Sequence, residues 1–135
     1  SELCGINIPE ELVPIAIDEF PIIMVAASCA KGETRLSGAA ELRVKESDRI
    51  QSMLDGFIAT GIRAEDTEDG MVIQESKFNG GVVNSHGDHR IAMAFAIAGL
   101  VSKETIVIND CENVATSFPG FVELAQKAGV NITYV

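Results

Sequence analysis

The sequence predicts a mixed α/β (α+β) fold of two repeated units, each a βαβα run followed by strands, with helices facing inward and strands outside. Two observations lead there. The order helix, glycine, strand recurs. Placing Glu33-Thr34 on Glu104-Thr105 also puts Ala26 on Ile97 and Leu36 on Val107, and deleting three residues brings Gly61-Ile62 onto Gly129-Val130. The leading helix of each copy is also apolar almost all round, which places it inside. The 135 residues, 47% of them hydrophobic, form one piece, 1–135, with units at about 14–78 and 79–135 joined through Asn79-Gly80-Gly81. A chain of this length buries about two thirds of its unfolded surface.

Along the chain, residues 1–13 read as a lead-in bounded by Pro9 and Pro14. A buried helix follows over the apolar stretch Ile22 to Ala30, with Asp18 or Glu19 as its cap and Pro21 in its first turn. Gly32 stops it, and Glu33 to Ser37 alternates as a strand. A second helix starts at Ser47-Asp48, carries Ile50, Met53, Leu54, Phe57 and Ile58 on one face, and ends at Gly61. Residues 62–64 and 71–73 then form a hairpin turning at Asp69-Gly70. In the second copy, Asp88-His89-Arg90 leads a helix ending near Ser102. A strand over 103–108, a helix from Ser117 to Lys127 and a final strand over 130–135 complete the chain.

Composition narrows the function. Ten basic against 20 acidic residues give a formal charge of −10, which disfavours a nucleic-acid groove or an anionic membrane surface. The longest apolar run, Ile91 to Val101, is too short to span a bilayer. The chain opens at Ser1 without a signal-peptide pattern, and Cys4, Cys29 and Cys111 are odd in number with no CxxC spacing. Both observations favour a reducing, cytoplasmic location.

An anionic ligand must then be held by a few placed cations. Arg43, Lys45 and Arg49 crowd the start of the second helix, and Arg90 stands at the start of the helix in the second copy. Charged helix starts are commonly solvated turns with i,i+3 and i,i+4 pairs. Cations at a helix N-terminus nevertheless oppose its dipole unless an anion offsets them. Helices lying side by side gather their N-termini, so Arg49 and Arg90 together suit one small ligand carrying a carboxylate and a phosphate. Asp18 is either a plain cap or a carboxylate placed to accept a hydroxyl proton, and Glu46 is either a proton donor or an ion-pair partner. His86 and His89 invite a metal reading, but no further His or paired Cys completes a site. Phosphate-loop, serine-hydrolase and HExxH patterns are absent.

Four segments together, Ile17-Asp18-Glu19-Phe20-Pro21, Leu42 to Arg49, Gly87 to Met93 and Ala115-Thr116-Ser117-Phe118-Pro119, closely resemble the 5-enolpyruvylshikimate-3-phosphate synthase family of the shikimate pathway. The resemblance covers essentially the whole chain. It implies the carboxy-terminal third, roughly, of a two-domain enzyme whose enolpyruvyl-transferase domains are built from βαβαββ units with inward helices. The family joins phosphoenolpyruvate to the 5-hydroxyl of shikimate 3-phosphate and releases phosphate, with no metal or organic cofactor.

By motif, the resemblance implies that Asp18 is the base and a shikimate-ring contact, and that Glu46 is the acid protonating the methylene carbon. It implies that Lys45 contacts shikimate 3-phosphate and that Arg49 and Arg90 bind phosphoenolpyruvate. Glu41 and Thr116 depart from the residues many members carry, Asn and Lys respectively. The other domain supplies further cations, so the piece alone is implied to be inactive. Three other readings are weighed. The enolpyruvyl transferase acting on UDP-N-acetylglucosamine shares the architecture but resembles the 45–49 stretch less. The RNA 3′-phosphate cyclase family shares the unit fold but suits an acidic chain poorly. A non-catalytic anion-binding or assembly module is the reading from a different class.

Overall fold

The computed structural model describes residues 2–135; Ser1 lies outside the described residues. After a short helix α1 (Val13–Ala16) and a single 3-10 turn (Ile17–Glu19), helix α2 (Phe20–Ser28) begins with Pro21 at its second position. Proline fits there because the first-turn N–H groups have no partner within the helix. Phe20, Met24 and Val25 are buried, as the apolar run requires. Strand β1 (Glu33–Leu36) leads to a 3-10 segment (Ala40–Val44) and then to helix α3 (Arg49–Thr60). Asp48 caps α3 by accepting the Gln51 N–H at 3.0 Å. Gly61 closes it at φ 86°, the left-handed conformation glycine adopts at no steric cost.

Strands β2 (Ala64–Thr67) and β3 (Gly70–Gln74) form a hairpin, but its first strand lies later than the expected 62–64 and takes in Glu65 to Thr67. Thr67 already pairs with Gly70, so the turn is Glu68-Asp69, one residue earlier than Asp69-Gly70. β3 is central in the antiparallel order β1-β3-β2. Residues 3–8, read from the sequence as a lead-in, run parallel to β1. Arg35 donates its N–H to Ile6 and accepts that of Ile8, each at 2.9 Å.

Strand β4 (Gly81–Asn84), helix α4 (His89–Ala98) and strand β5 (Ile106–Asn109) follow, β4 and β5 pairing in parallel. α4 ends at Ala98, short of Ser102. The helix expected from Ser117 to Lys127 is broken into α5 (Asn113–Ser117) and α6 (Phe121–Lys127). Phe118 precedes a proline, which disfavours the helical region, and it is extended at φ −139°; Gly120 follows at φ 78°. Residues 130–135 form no strand: among the described residues they find no backbone ladder to join.

Helices α2, α3 and α4 pack on one another between the two sheets. Phe57 of α3 meets Phe95 of α4 edge-on at 5.8 Å and Phe78 at 6.2 Å. Gly56 permits this approach, since a Cβ there stands 2.2 Å from the Phe95 ring. The helices are therefore inside and the strands outside. No helix among the described residues is long and apolar enough to cross a membrane.

Candidate active site

The starts of the three inner helices meet, and Arg49, the first residue of α3, is where they meet. Its side chain is 1% exposed. Nε and Nη2 donate to Asp88 Oδ2 and Oδ1 at 2.9 and 3.3 Å, Nη1 donates to Asp18 Oδ1 at 3.2 Å, and Nη2 also donates to Glu46. One edge of the guanidinium is thus taken by Asp88, which is completely buried at the cap of α4. The other edge faces Asp18 and Glu46, whose side chains are about half exposed.

The other residues singled out in the sequence gather around the same point. Lys45 Nζ lies 3.2 Å from Asp18 Oδ1 and 3.0 Å from Glu41 Oε1. Arg90 Nη1 donates to the Asp18 carbonyl oxygen and to Glu19 Oε1, both at 2.9 Å. Asp18 is therefore touched by Lys45, Arg49 and Arg90 at once. It makes no side-chain cap for α2, which excludes the plain-cap reading. A groove of about 160 Å³ opens beside it, lined by Asp18, Glu19, Pro21, Ile22, Arg90 and Met93 among others. A larger hollow of about 510 Å³, lined by Glu2, Leu3, Cys29, Lys31 and Glu75, holds none of these residues.

Electrostatics follow from this packing. The hydrogen bond from Lys45, helped by the charges of Lys45, Arg49 and Arg90, holds the Asp18 carboxyl below its ordinary value. Burial pushes the Asp88 carboxyl up. The Arg49 and Ser47 hydrogen bonds, the Arg49 charge and the Arg90 N–H outweigh it, and the net direction is down. Glu41 first and Asp18 second raise Lys45. The sequence reading asked a bound anion to offset Arg49 and Arg90 at their helix starts, yet Asp88, Asp18, Glu46 and Glu19 already do so within the chain.

Sequence reasoning missed Asp88 as part of this cluster, along with Ser47, whose hydroxyl donates to Asp88 Oδ2 at 2.9 Å. The only sequence signal was Asp88 standing where a cap belongs. Thr116 is exposed on α5. His86 is exposed in the loop before α4, and no three His, Cys, Asp or Glu among the described residues are grouped to hold a metal ion.

The arrangement gathers three cations, Lys45, Arg49 and Arg90, at one point beside the groove, with the outer edge of Arg49 occupied by the half-exposed carboxylates of Asp18 and Glu46. Comparison with known proteins identifies the family. The family model described as EPSP synthase (3-phosphoshikimate 1-carboxyvinyltransferase) matches residues 2–124. A 3-phosphoshikimate 1-carboxyvinyltransferase of Nitrosococcus oceani is 65% identical over 99% of this chain, and one of Methylococcus capsulatus is 63% identical over 97%. The chain spans about 30% of the length of each. Two structures of EPSP synthase from Acinetobacter baumannii superpose with TM-scores of 0.92 and 0.93 at 55% and 50% identity, over 96% and 99% of this chain and 31% of theirs. With fold and sequence in agreement, the chain belongs to the EPSP synthase (3-phosphoshikimate 1-carboxyvinyltransferase) family.

Proposed function

We propose that this chain acts as the carboxy-terminal part of a longer cytoplasmic enzyme that transfers the enolpyruvyl group of phosphoenolpyruvate to the 5-hydroxyl of shikimate 3-phosphate. The observation that carries this reading is the convergence of Arg49, Arg90 and Lys45 on Asp18, with Glu46 on the same guanidinium. Arg49 and Arg90 hold phosphoenolpyruvate, whose carboxylate and phosphate suit two planar forks. Lys45 contacts shikimate 3-phosphate. Asp18, ionised and beside the groove, orients the shikimate ring and takes the proton of the 5-hydroxyl as its oxygen bonds to the enol carbon. Glu46 delivers a proton to the methylene carbon, giving a tetrahedral intermediate. Glu46 then takes back a proton from the methyl group as the C–O bond to phosphate breaks, and the leaving phosphate carries off the proton that Asp18 received, so the enol ether forms and both carboxyl groups return to their starting states.

Charge supports the assignment to a longer protein. At the cluster three cations, Lys45, Arg49 and Arg90, face five carboxylates, Asp18, Glu19, Glu41, Glu46 and Asp88. Such a site grips a dianion only when further cations are added, and the amino-terminal part supplies them. The chain by itself is inactive. Within it, units at 14–78 and 79–135 each bring helix starts to the site.

The decisive assay follows phosphate release by the full-length protein with phosphoenolpyruvate and, in turn, shikimate 3-phosphate or UDP-N-acetylglucosamine as acceptor. Turnover with shikimate 3-phosphate alone is expected. Turnover with the sugar nucleotide, or with neither acceptor, refutes the reading.

A further inference from the structure

Asp88 is buried more deeply than a helix cap needs to be. Asp48, the cap of α3, has its side chain 38% exposed and pairs with Arg43 at the surface. Asp88 is 0% exposed and only one of its oxygens serves a helix N–H, Oδ1 accepting from Arg90 at 3.1 Å. Oδ2 accepts from Arg49 Nε and from the Ser47 hydroxyl, both at 2.9 Å, and the Ser52 hydroxyl backs Ser47 at 3.1 Å. The carboxylate therefore fixes the inner edge of Arg49 and the backbone start of the segment carrying Arg90. With Nε and one Nη2 hydrogen held, the guanidinium plane cannot rotate, and its Nη1–Nη2 edge is turned toward Asp18 and Glu46.

We propose that Asp88 is the positioning residue of the two-arginine clamp, orienting Arg49 and registering Arg90 so that both present their forks to one anion. This rests on the reading that Arg49 and Arg90 hold phosphoenolpyruvate. Asp88 touches no substrate; it acts through Arg49. An asparagine at this position keeps the cap oxygen but turns an N–H donor toward the Arg49 donors, so the guanidinium loses its fixed plane.

Steady-state kinetics of the full-length protein test this. Asp88→Asn is expected to raise the Michaelis constant for phosphoenolpyruvate by about tenfold or more while that for shikimate 3-phosphate changes less than about twofold, the signature of one misplaced anion clamp. In an Arg49→Lys background the same substitution is expected to add less than about twofold, because the partner it orients is gone. Equal effects on both substrates, or full additivity with Arg49→Lys, overturn the proposal. If Asp88→Asn does not fold, Ser47→Ala carries the test: a rise of about threefold for phosphoenolpyruvate alone supports it, and unchanged constants overturn it. Arg49→Lys measured alone separates the two levels. An unchanged phosphoenolpyruvate constant there refutes the site reading, whereas a raised one beside an unaffected Asp88→Asn refutes only the role of Asp88.

Discussion

Lys45 Nζ stands 3.2 Å from Asp18 Oδ1 although the two residues come from different turns, one before α2 and one before α3. The pairing keeps Asp18 ionised in a cluster crowded with other carboxylates.

That relationship sets a dependence on pH. The folded-state pKa of Asp18 and of Asp88 lies below the ordinary 3.8, so the folded state binds fewer protons than the unfolded one in acid. Their contribution is complete above the unfolded value and is lost as pH falls through the lowered folded values. The melting temperature of the full-length protein is expected to hold steady down to about pH 5 and to fall below about pH 4. Lys45→Met returns Asp18 toward 3.8, so the acid decline measured by thermal melts becomes shallower.

Glu46→Gln removes the proposed proton donor and keeps its shape. Turnover of the full-length protein is expected to drop by about 10²- to 10⁴-fold. The side chain is 52% exposed, so the melting temperature is expected to change little. Calorimetry beside the kinetic assay checks both halves, and near-normal turnover removes Glu46 from its role.

Arg49→Lys keeps the charge but not the fork. Lysine reaches Asp88 or the outer edge, not both, and the Michaelis constant for phosphoenolpyruvate is expected to rise about tenfold or more. Titration of the variant with phosphoenolpyruvate measures the shift directly.

Gly56→Ala tests the core that aims the helices. The added Cβ meets the Phe95 ring at 2.2 Å, and Phe95 is 0% exposed with Phe57 against it. The helix-propensity gain of about 1 kcal/mol is outweighed by the overpacking, leaving a net loss of about 1–2 kcal/mol. A urea melt of the full-length variant with an unchanged midpoint contradicts the contact.

The sequence carried the inner helices and the hairpin clearly because their signals are local. An apolar run with Pro21 at its start, Asp48 before a periodic face and Gly61 after it each dictate backbone conformation within a few residues. What stayed hidden depends on partners far along the chain. Residues 3–8 contain Gly5 and do not alternate cleanly, so their alignment beside β1 is readable only once β1 exists. β4 opens on Gly81 directly after Gly80, so only Val82-Val83 stand between glycine and Asn84 and no alternation registers as a strand. The strand expected over 130–135 has suitable residues but no neighbour among the described ones. At the site, Asp18, Lys45, Glu46, Arg49 and Arg90 were all visible as charged residues at helix starts. Asp88 was visible there too, but not as the partner of Arg49, which is 39 positions away, and a cap is a sufficient explanation of an aspartate at that place.

Because carboxylates saturate Arg49, the proposed binding of a dianion there is an exchange of counter-ions. Under the proposed reading the dianion takes the place of the Asp18 side chain on the outer guanidinium edge, and Asp18 gives up the Arg49 part of the positive neighbourhood that lowers its proton affinity. On that reading Asp18 is a weaker base in the empty cleft than in the filled one, and the contact that resists binding also arms the group proposed to receive the hydroxyl proton.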